Sequence, residues 1–343
     1  MDKIIKILLI MSLLSVVAAC GGGNTSTEVS GDSSDNGDNT YTFTLPHAAA
    51  ESHPFHIGIL KFVELVEEKS EGRIEIDVYP SRQLGDEREV LENVINGTTE
   101  MALVSTPIFS SYTSVFDALQ LPFLLNSYEI EEAAFETEAL DKMLESLNDS
   151  IGLQGIAVME GGMRHIANNK NEVRVPSDLN GLKLRTVETP LLLDVFNQLG
   201  ASPTPMAYGE VYTSLETGVL DGEEVNLSTI VAEKHYEVLE HVTLSGQNPF
   251  PAIILINQEI YETLNEEDQM ILKEAGVEAS KYLFEEIKQM DDEALETIKA
   301  EGINVVEMDD IDIFLEEVQP VYDDYMAKDP LIEEFVNEVQ SLK

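Results

Sequence analysis

Only six arginines occur in this 343-residue sequence, and none of them follows Arg185. They are Arg73, Arg82, Arg88, Arg164, Arg174 and Arg185. Between Gly161 and Thr186 five basic residues (Arg164, Lys170, Arg174, Lys183, Arg185) meet two acidic ones, Glu172 and Asp178, a local reversal in a chain of net charge −45. In Leu182-Lys183-Leu184-Arg185 the leucines share one face of an expected strand, and Lys183 and Arg185 share the other. Arg185 ends that strand just before a helix, at the rim where open α/β sheets bind ligands. A planar guanidinium there can grip a carboxylate through two parallel N–H···O bonds. The same side chain could instead form a surface ion pair with one of the many nearby acids, and periodicity alone leaves both readings open.

Other chemistry finds less support. His53 and His56 lie three apart near a helix start, with His47 upstream, a spacing compatible with metal ligation. No second group of ligands with matching spacing accompanies them, so neither a metal site nor another cofactor is expected. The sequence contains no Gly-x-Ser-x-Gly elbow, no phosphate-cradling glycine loop with Lys-Ser/Thr and no His-Glu-x-x-His. Their absence removes the commonest hydrolase and nucleotide-binding readings. The excess of 65 Asp and Glu over 20 Lys and Arg excludes nucleic acid as a partner and would be repelled by anionic lipid. A surface so acidic suits a salty or alkaline exterior better than it suits a cationic partner.

The elements that must position these residues begin after a leader. Lys3 and Lys6 precede an apolar run, Ile7 to Val17, of signal-peptide length and too short to span a bilayer. Val17-Ala18-Ala19-Cys20 resembles the lipobox of bacterial lipoproteins, which implies a signal peptide over 1–19 and lipidation of Cys20. Cys20 is the only cysteine, so no internal disulfide is available. Residues 20–40, rich in Gly, Ser, Asn, Asp and Thr, cannot bury enough surface to order themselves, and form an expected tether reaching about 25 Å. The chain is thus expected outside the cytoplasm, on the outer face of the cell membrane, held by lipid alone.

From Tyr41 onward strand and helix patterns alternate. Tyr41–Leu45, Arg73–Tyr79, Glu100–Val104, Leu153–Met159, Leu182–Val187 and Pro251–Asn257 read as strands. Pro54–Glu68, Asp86–Asn96, Thr189–Gln198 and Tyr208–Thr217 read as helices, most of them stopped by a glycine. Asn265 to about Lys299 is one long amphipathic run with a break expected near Asp291, followed by helices over Ile311–Ala327 and Leu331–Leu342. This grammar predicts an α/β protein with largely parallel sheets, and about 300 residues are enough for two lobes.

Three blocks then carry a resemblance: Tyr79-Pro80-Ser81-Arg82-Gln83-Leu84-Gly85-Asp86; Leu121-Pro122-Phe123-Leu124; and Asp178 to Arg185, continuing through Gly200–Met206 to Glu210-Val211-Tyr212 and Asp221-Gly222. In this order they resemble the solute-binding subunits of TRAP transporters, the DctP-like dicarboxylate binders. The resemblance implies a two-lobed, type II periplasmic-binding-protein-like fold with a hinge and a long helix spanning both lobes. It implies one lobe over 41–160 plus about 251–290, another over 161–250 plus about 291–330, and a C-terminal helix over 331–343. It further implies that Arg185 forms the selectivity salt bridge to a ligand carboxylate, that Arg164 adds a second contact, and that Tyr208 and Ser105 line the cleft. Relatives often read Asp-Gly-Gln-Glu-Asn-Pro where this chain reads Asp221-Gly222-Glu223-Glu224-Val225-Asn226. Val225 thus stands where the family's ligand-contacting Asn does, Asn226 substitutes only if the backbone shifts, and Glu224 is carried over as a ligand-binding candidate. Sialate binders tend to have a carboxylate where Ser105 stands, which argues against a sugar acid, and the apolar Val225 leans towards a simpler oxo-, hydroxy- or dicarboxylic acid, delivered to TRAP permease subunits. The competing readings are a lipoprotein of the same fold that senses ligand for a signalling receptor, and an extracellular enzyme.

Overall fold

A computed structural model describes residues 40–343; the leader, Cys20 and the tether up to residue 39 lie outside the described residues. The first half runs β1 (Tyr41–Pro46), α1 (Pro54–Lys69), β2 (Ile74–Tyr79), α2 (Glu87–Ile95), β3 (Met101–Ser105), α3 (Tyr128–Ala134), α4 (Glu138–Ile151) and β4 (Leu153–Glu160). It continues with β5 (Arg164–Asn168), β6 (Lys183–Thr186), α5 (Pro190–Gln198), β7 (Ser202–Pro205), α6 (Val211–Glu216), β8 (Gly222–Asn226), α7 (Leu227–Ala232) and β9 (His241–Asn248). The last third is β10 (Pro251–Asn257), α8 (Gln258–Tyr261), α9 (Glu266–Ala300), β11 (Asn304–Glu307), α10 (Ile311–Met326) and α11 (Pro330–Leu342).

Local sequence explains the helix starts. His53 caps α1 by accepting from Phe55 N, and Pro54, which has no N–H to leave unpaired, follows at the first position. Phe55, Ile59, Phe62 and Val66 recur on one face of α1 and are all buried. Full burial of each such side chain contributes about 1.5–3 kcal/mol. Thr189 caps α5 and Asn265 caps α9 in the same manner.

The strands form two main sheets, of order β3-β10-β4 and β11-β9-β5-β8-β6-β7, beside a parallel pair of β1 and β2. The three-stranded sheet is antiparallel throughout and the six-stranded sheet is mixed, which corrects the expectation of a largely parallel arrangement. Strand β10 runs antiparallel to both β3 and β4, and β5 runs antiparallel to both β8 and β9. Parallel neighbours need a crossover of a dozen or more residues. Here β5 follows β4 through Gly161–Met163 alone, and β10 follows β9 through Pro249 and Phe250 alone. Each short link carries the chain from one sheet into the other.

Helix α9 is continuous over 35 residues, about 52 Å, so the break expected near Asp291 does not occur. Its first half packs Leu272, Ala275, Ala279 and Leu283 into the core around α1 and the three-stranded sheet. Ala294 and Ile298 near its end join the core of the six-stranded sheet. The helix therefore spans both lobes. Close approach depends on Gly276, where a Cβ would sit 2.6 Å from the Cβ of Ala157 in β4. The expected helix over Tyr208–Thr217 is a 3-10 turn, Tyr208–Glu210, leading into the short α6.

Candidate ligand-binding site

Strand β6 lies between β8 and β7 in the six-stranded sheet. Leu184 is fully buried on its core face, Lys183 is exposed, and Arg185 is only 4% exposed. The Arg185 guanidinium is held along one edge: Nε and Nη2 both donate to the carbonyl oxygen of Met206, at 3.1 and 2.9 Å. Among the described residues Nη1 has no protein partner. Burial lowers the pKa of Arg185 and the nearby Glu224 opposes that shift, yet a guanidinium remains charged in either case. The Tyr208 ring centre lies 5.6 Å from this guanidinium and 5.3 Å from that of Arg82, a cation–π partner of both. The Tyr208 hydroxyl is buried without a hydrogen-bond partner.

Arg164 opens β5, paired in register with Asn226 of β8. Its Nε donates to the carboxylate of Glu224 and its Nη2 to the Glu224 carbonyl, while its guanidinium carbon lies 4.4 Å from the Phe250 ring centre. The second Glu224 carboxylate oxygen accepts from Val187 N at 3.1 Å. The neighbouring Glu223 faces the other way along the strand and accepts from His235 Nδ1 at 2.5 Å. Burial alone would lower His235, but Glu223 prevails and raises it.

These side chains enclose a cavity of about 50 Å³. Of the six candidates, Arg185, Arg164, Tyr208 and Asn226 line it. The other two sit behind it. Ser105 is fully buried, and its N–H and hydroxyl donate at 2.9 and 2.8 Å to the carboxylate of Glu87. Glu87 therefore lines the cavity in place of Ser105. Glu224 is likewise a buried counter-ion to Arg164, its oxygens taken by that arginine and by Val187 N.

Asn226 has no spare donor. Its amide nitrogen meets the carbonyl of Gly161 at 2.6 Å, Ser228 Oγ at 2.7 Å and His53 Nε2 at 3.1 Å, and its oxygen accepts from Thr229. It braces the β4–β5 link, and Val225 presents an apolar wall beside it. Glu87 and His53 were not singled out from sequence as site residues. Glu87 directly follows the Gln83-Leu84-Gly85-Asp86 block, which was the available signal. Burial raises the Glu87 carboxyl above its usual range, against the lowering effect of the two Ser105 bonds and of Arg185.

His47, His53 and His56 form a buried cluster in which burial disfavours the charged form. His47 Nε2 and His56 Nδ1 are 3.0 Å apart, and His53 Nε2 reaches Thr229 Oγ1 at 3.1 Å. Burial pushes His47 and His53 down to about 3. No group of three or more His, Cys, Asp or Glu suited to a metal ion is found among the described residues.

Contacts across the cavity tie the two sheets together. Arg82, in the loop after β2, pairs with Glu233 at the end of α7 at 3.2 Å, and Arg88 of α2 pairs with Glu188 at 3.4 Å. Behind the cavity, the β4–β5 and β9–β10 links meet at Glu160, whose Oε1 accepts from Gly162 N at 2.6 Å and Phe250 N at 3.2 Å. Beside it Tyr128 donates to Asp291 of α9 and accepts from Met163 N at 3.1 Å. Glu131 of α3 is fully buried there, its carboxyl set against that of Glu160. Gly162, at φ 111°, turns the chain between these groups in a conformation that favours glycine.

The family described as bacterial extracellular solute-binding protein, family 7 (DctP), matches residues 45–329. The C4-dicarboxylate-binding periplasmic protein DctP of Rhodobacter capsulatus is 31% identical over 257 residues, covering 75% of this chain and 77% of that one. A TRAP periplasmic solute-binding protein from Ochrobactrum anthropi, solved with its C-terminus bound in the ligand-binding pocket, is 33% identical with a TM-score of 0.81, over 89% and 97% of the two chains. Another from Bordetella bronchispeptica, solved with density assigned to pantoate, is 31% identical with a TM-score of 0.82, over 87% and 99%. Among the described residues no helix is long and apolar enough to cross a membrane. A two-lobed α/β frame with an arginine-lined cavity between its sheets, matched over most of its length, places this chain in the DctP family of bacterial extracellular solute-binding proteins, the binding component of TRAP transporters.

Proposed function

We propose that this protein captures a small organic carboxylate in a closing cleft and delivers it to the membrane subunits of a TRAP-type secondary transporter. The observation carrying this reading is Arg185: it is 4% exposed, lines the cavity, and keeps Nη1 without a protein partner among the described residues. A buried cation with unspent donors aimed at a cavity calls for an anion there. Each charge-assisted hydrogen bond contributes roughly 1.5–3 kcal/mol, and micromolar affinity requires about −8 kcal/mol. One guanidinium clamp with a few further contacts reaches that range. The global charge of −45 does not oppose anion capture, because salt screens it within about 8 Å. The relative from Rhodobacter capsulatus is named for C4-dicarboxylates, and the structure from Bordetella bronchispeptica has density assigned to pantoate, both small carboxylates.

In this reading one lobe comprises residues 41–160 plus about 251–290, the other 161–250 plus about 291–330, and α11 is laid on the first through Lys142–Glu334. Closure on the ligand brings Arg82 to Glu233 and excludes water from the clamp. Lipidation of Cys20 would hold the domain at the outer membrane face despite its charge. The test is a thermal shift with a library of small carboxylates, alongside mass spectrometry of whatever co-purifies. A ligand that raises the melting temperature of the protein is expected to have no effect on folded Arg185→Ala or Arg185→Glu. An undiminished shift in folded Arg185→Ala would remove the clamp.

A further inference from the structure

The unspent hydrogen-bonding capacity of the cavity is gathered around Arg185. Arg185 and Arg164 each retain Nη1, and the Tyr208 hydroxyl is unpaired. Glu87 has one acceptor site on each oxygen taken by Ser105, at 2.9 and 2.8 Å, and further lone pairs left over. The other polar side chains of the lining are committed to one another. His53 Nε2 bonds Thr229 Oγ1, which donates to the Asn226 oxygen, and Glu233 is bonded by Arg82, which also donates to Ala48 O. The rest of the wall is apolar, made by Ala48 to Ala50, Val225, Ala232 and Phe250.

Resting on the reading that Arg185 captures a carboxylate, we propose that the site is shaped for a 2-hydroxy monocarboxylate with a short, branched apolar tail, and that it discriminates against dicarboxylates and polyhydroxy acids. The ligand carboxylate takes the free ends of Arg185 and Arg164. Its 2-hydroxyl donates to Glu87 and accepts from the Tyr208 hydroxyl. The tail then meets alanines, Val225 and Phe250, where methyl groups gain by leaving water. A second carboxylate would enter this apolar part with no unspent cation, since Arg82 is already held by Glu233. A chain of hydroxyls along the same wall would lose its water partners and find none in the protein. The cavity of about 50 Å³ has room for about four water molecules, which limits the tail to a few carbons.

Isothermal calorimetry on the wild-type protein with three ligands sharing one head group tests this directly. These are 2-hydroxy-3-methylbutanoate, malate and gluconate, which differ only in carrying an apolar, an anionic or a polyol tail. The branched acid is expected to bind at least tenfold more tightly than either of the others. In Glu87→Gln its advantage over 2-oxo-3-methylbutanoate, expected to be severalfold in the wild type, should shrink towards unity. Malate or gluconate binding as tightly as the branched acid overturns the inference. If that tight binding is lost in Arg185→Ala, carboxylate capture nevertheless stands. A folded protein that binds none of the three, and gives no thermal shift with any carboxylate, takes down both readings.

Discussion

Glu224 joins Arg164 to the segment that carries Arg185: one carboxylate oxygen accepts from Arg164 Nε and the other from Val187 N, two residues past Arg185, at 3.1 Å. Arg164 and Glu224 are 3% and 0% exposed. Removing one partner of such a pair strands a charge in the interior, which costs about 3–5 kcal/mol. Glu224→Ala is therefore expected to lower unfolding free energy by about that amount in urea titrations. The double variant Glu224→Gln with Arg164→Met should recover part of the loss. A Glu224→Ala protein as stable as the wild type would show that the pair is not the brace described.

The Arg82–Glu233 pair, about a quarter exposed on each side, spans the mouth between the loop after β2 and the end of α7. A partly exposed pair contributes about 1 kcal/mol or less to folding. In the proposed closure its larger effect should fall on ligand affinity, because the pair bridges the two sides of the mouth. Arg82→Ala is expected to weaken binding by roughly three- to tenfold with little change in the melting temperature of the ligand-free protein. Calorimetry at low and high salt should show the wild-type advantage shrinking as salt rises. Equal affinities of variant and wild type at low salt would exclude the pair from closure.

Three acids converge on the links between the sheets, and among the described residues no lysine or arginine is bonded to any of them. Burial raises Asp291 to about 7, Glu131 well above its usual value and Glu160 in the same direction. Glu160 is held by Gly162 N and Phe250 N, Asp291 by Tyr128, and Glu131 faces Glu160 and Asp291. A carboxyl raised in the folded state binds its proton more tightly there than in the unfolded chain. Its stabilisation is complete below about pH 4 and is lost as pH rises through the folded value, about 7 for Asp291. The melting temperature is thus expected to fall between pH 5 and pH 8. Glu131→Gln, which keeps the shape without the charge, should flatten that slope and melt higher than the wild type at pH 8. A slope unchanged in Glu131→Gln would contradict the assignment.

Much of the local structure is legible in the residues themselves. The period of Phe55, Ile59, Phe62 and Val66 marks α1, and His53 with Pro54 marks its start. Lys183 and Arg185 do share a strand face, as the alternation requires, but alternation cannot say that one end is in water and the other enclosed. The strands β5, β7, β8, β9 and β11 carry weaker local signals; β7 is Ser202-Pro203-Thr204-Pro205, whose prolines argue against a strand until an edge position accommodates them. Sheet direction was misread because it depends on the short links at Gly161–Met163 and Pro249-Phe250, which carry the chain into a different sheet.

Among the site residues, sequence order identified Arg185, Arg164, Tyr208 and Asn226 as candidates, and all four line the cavity. It could not separate Ser105 from Glu87, because residues 18 apart in sequence meet only when β3 and α2 pack together. Nor could it tell Glu224 from a ligand contact, since the partner that consumes its carboxylate is 60 residues away. What the sequence alone determined is whatever rests on short range: helix and strand periods, caps, the scarcity of arginine and the block order shared with a family. The tertiary structure alone decided which of those polar groups are already satisfied, because hydrogen-bond capacity is spent on whichever partner the fold brings within about 3 Å, and only the unspent remainder is free to recognise a ligand.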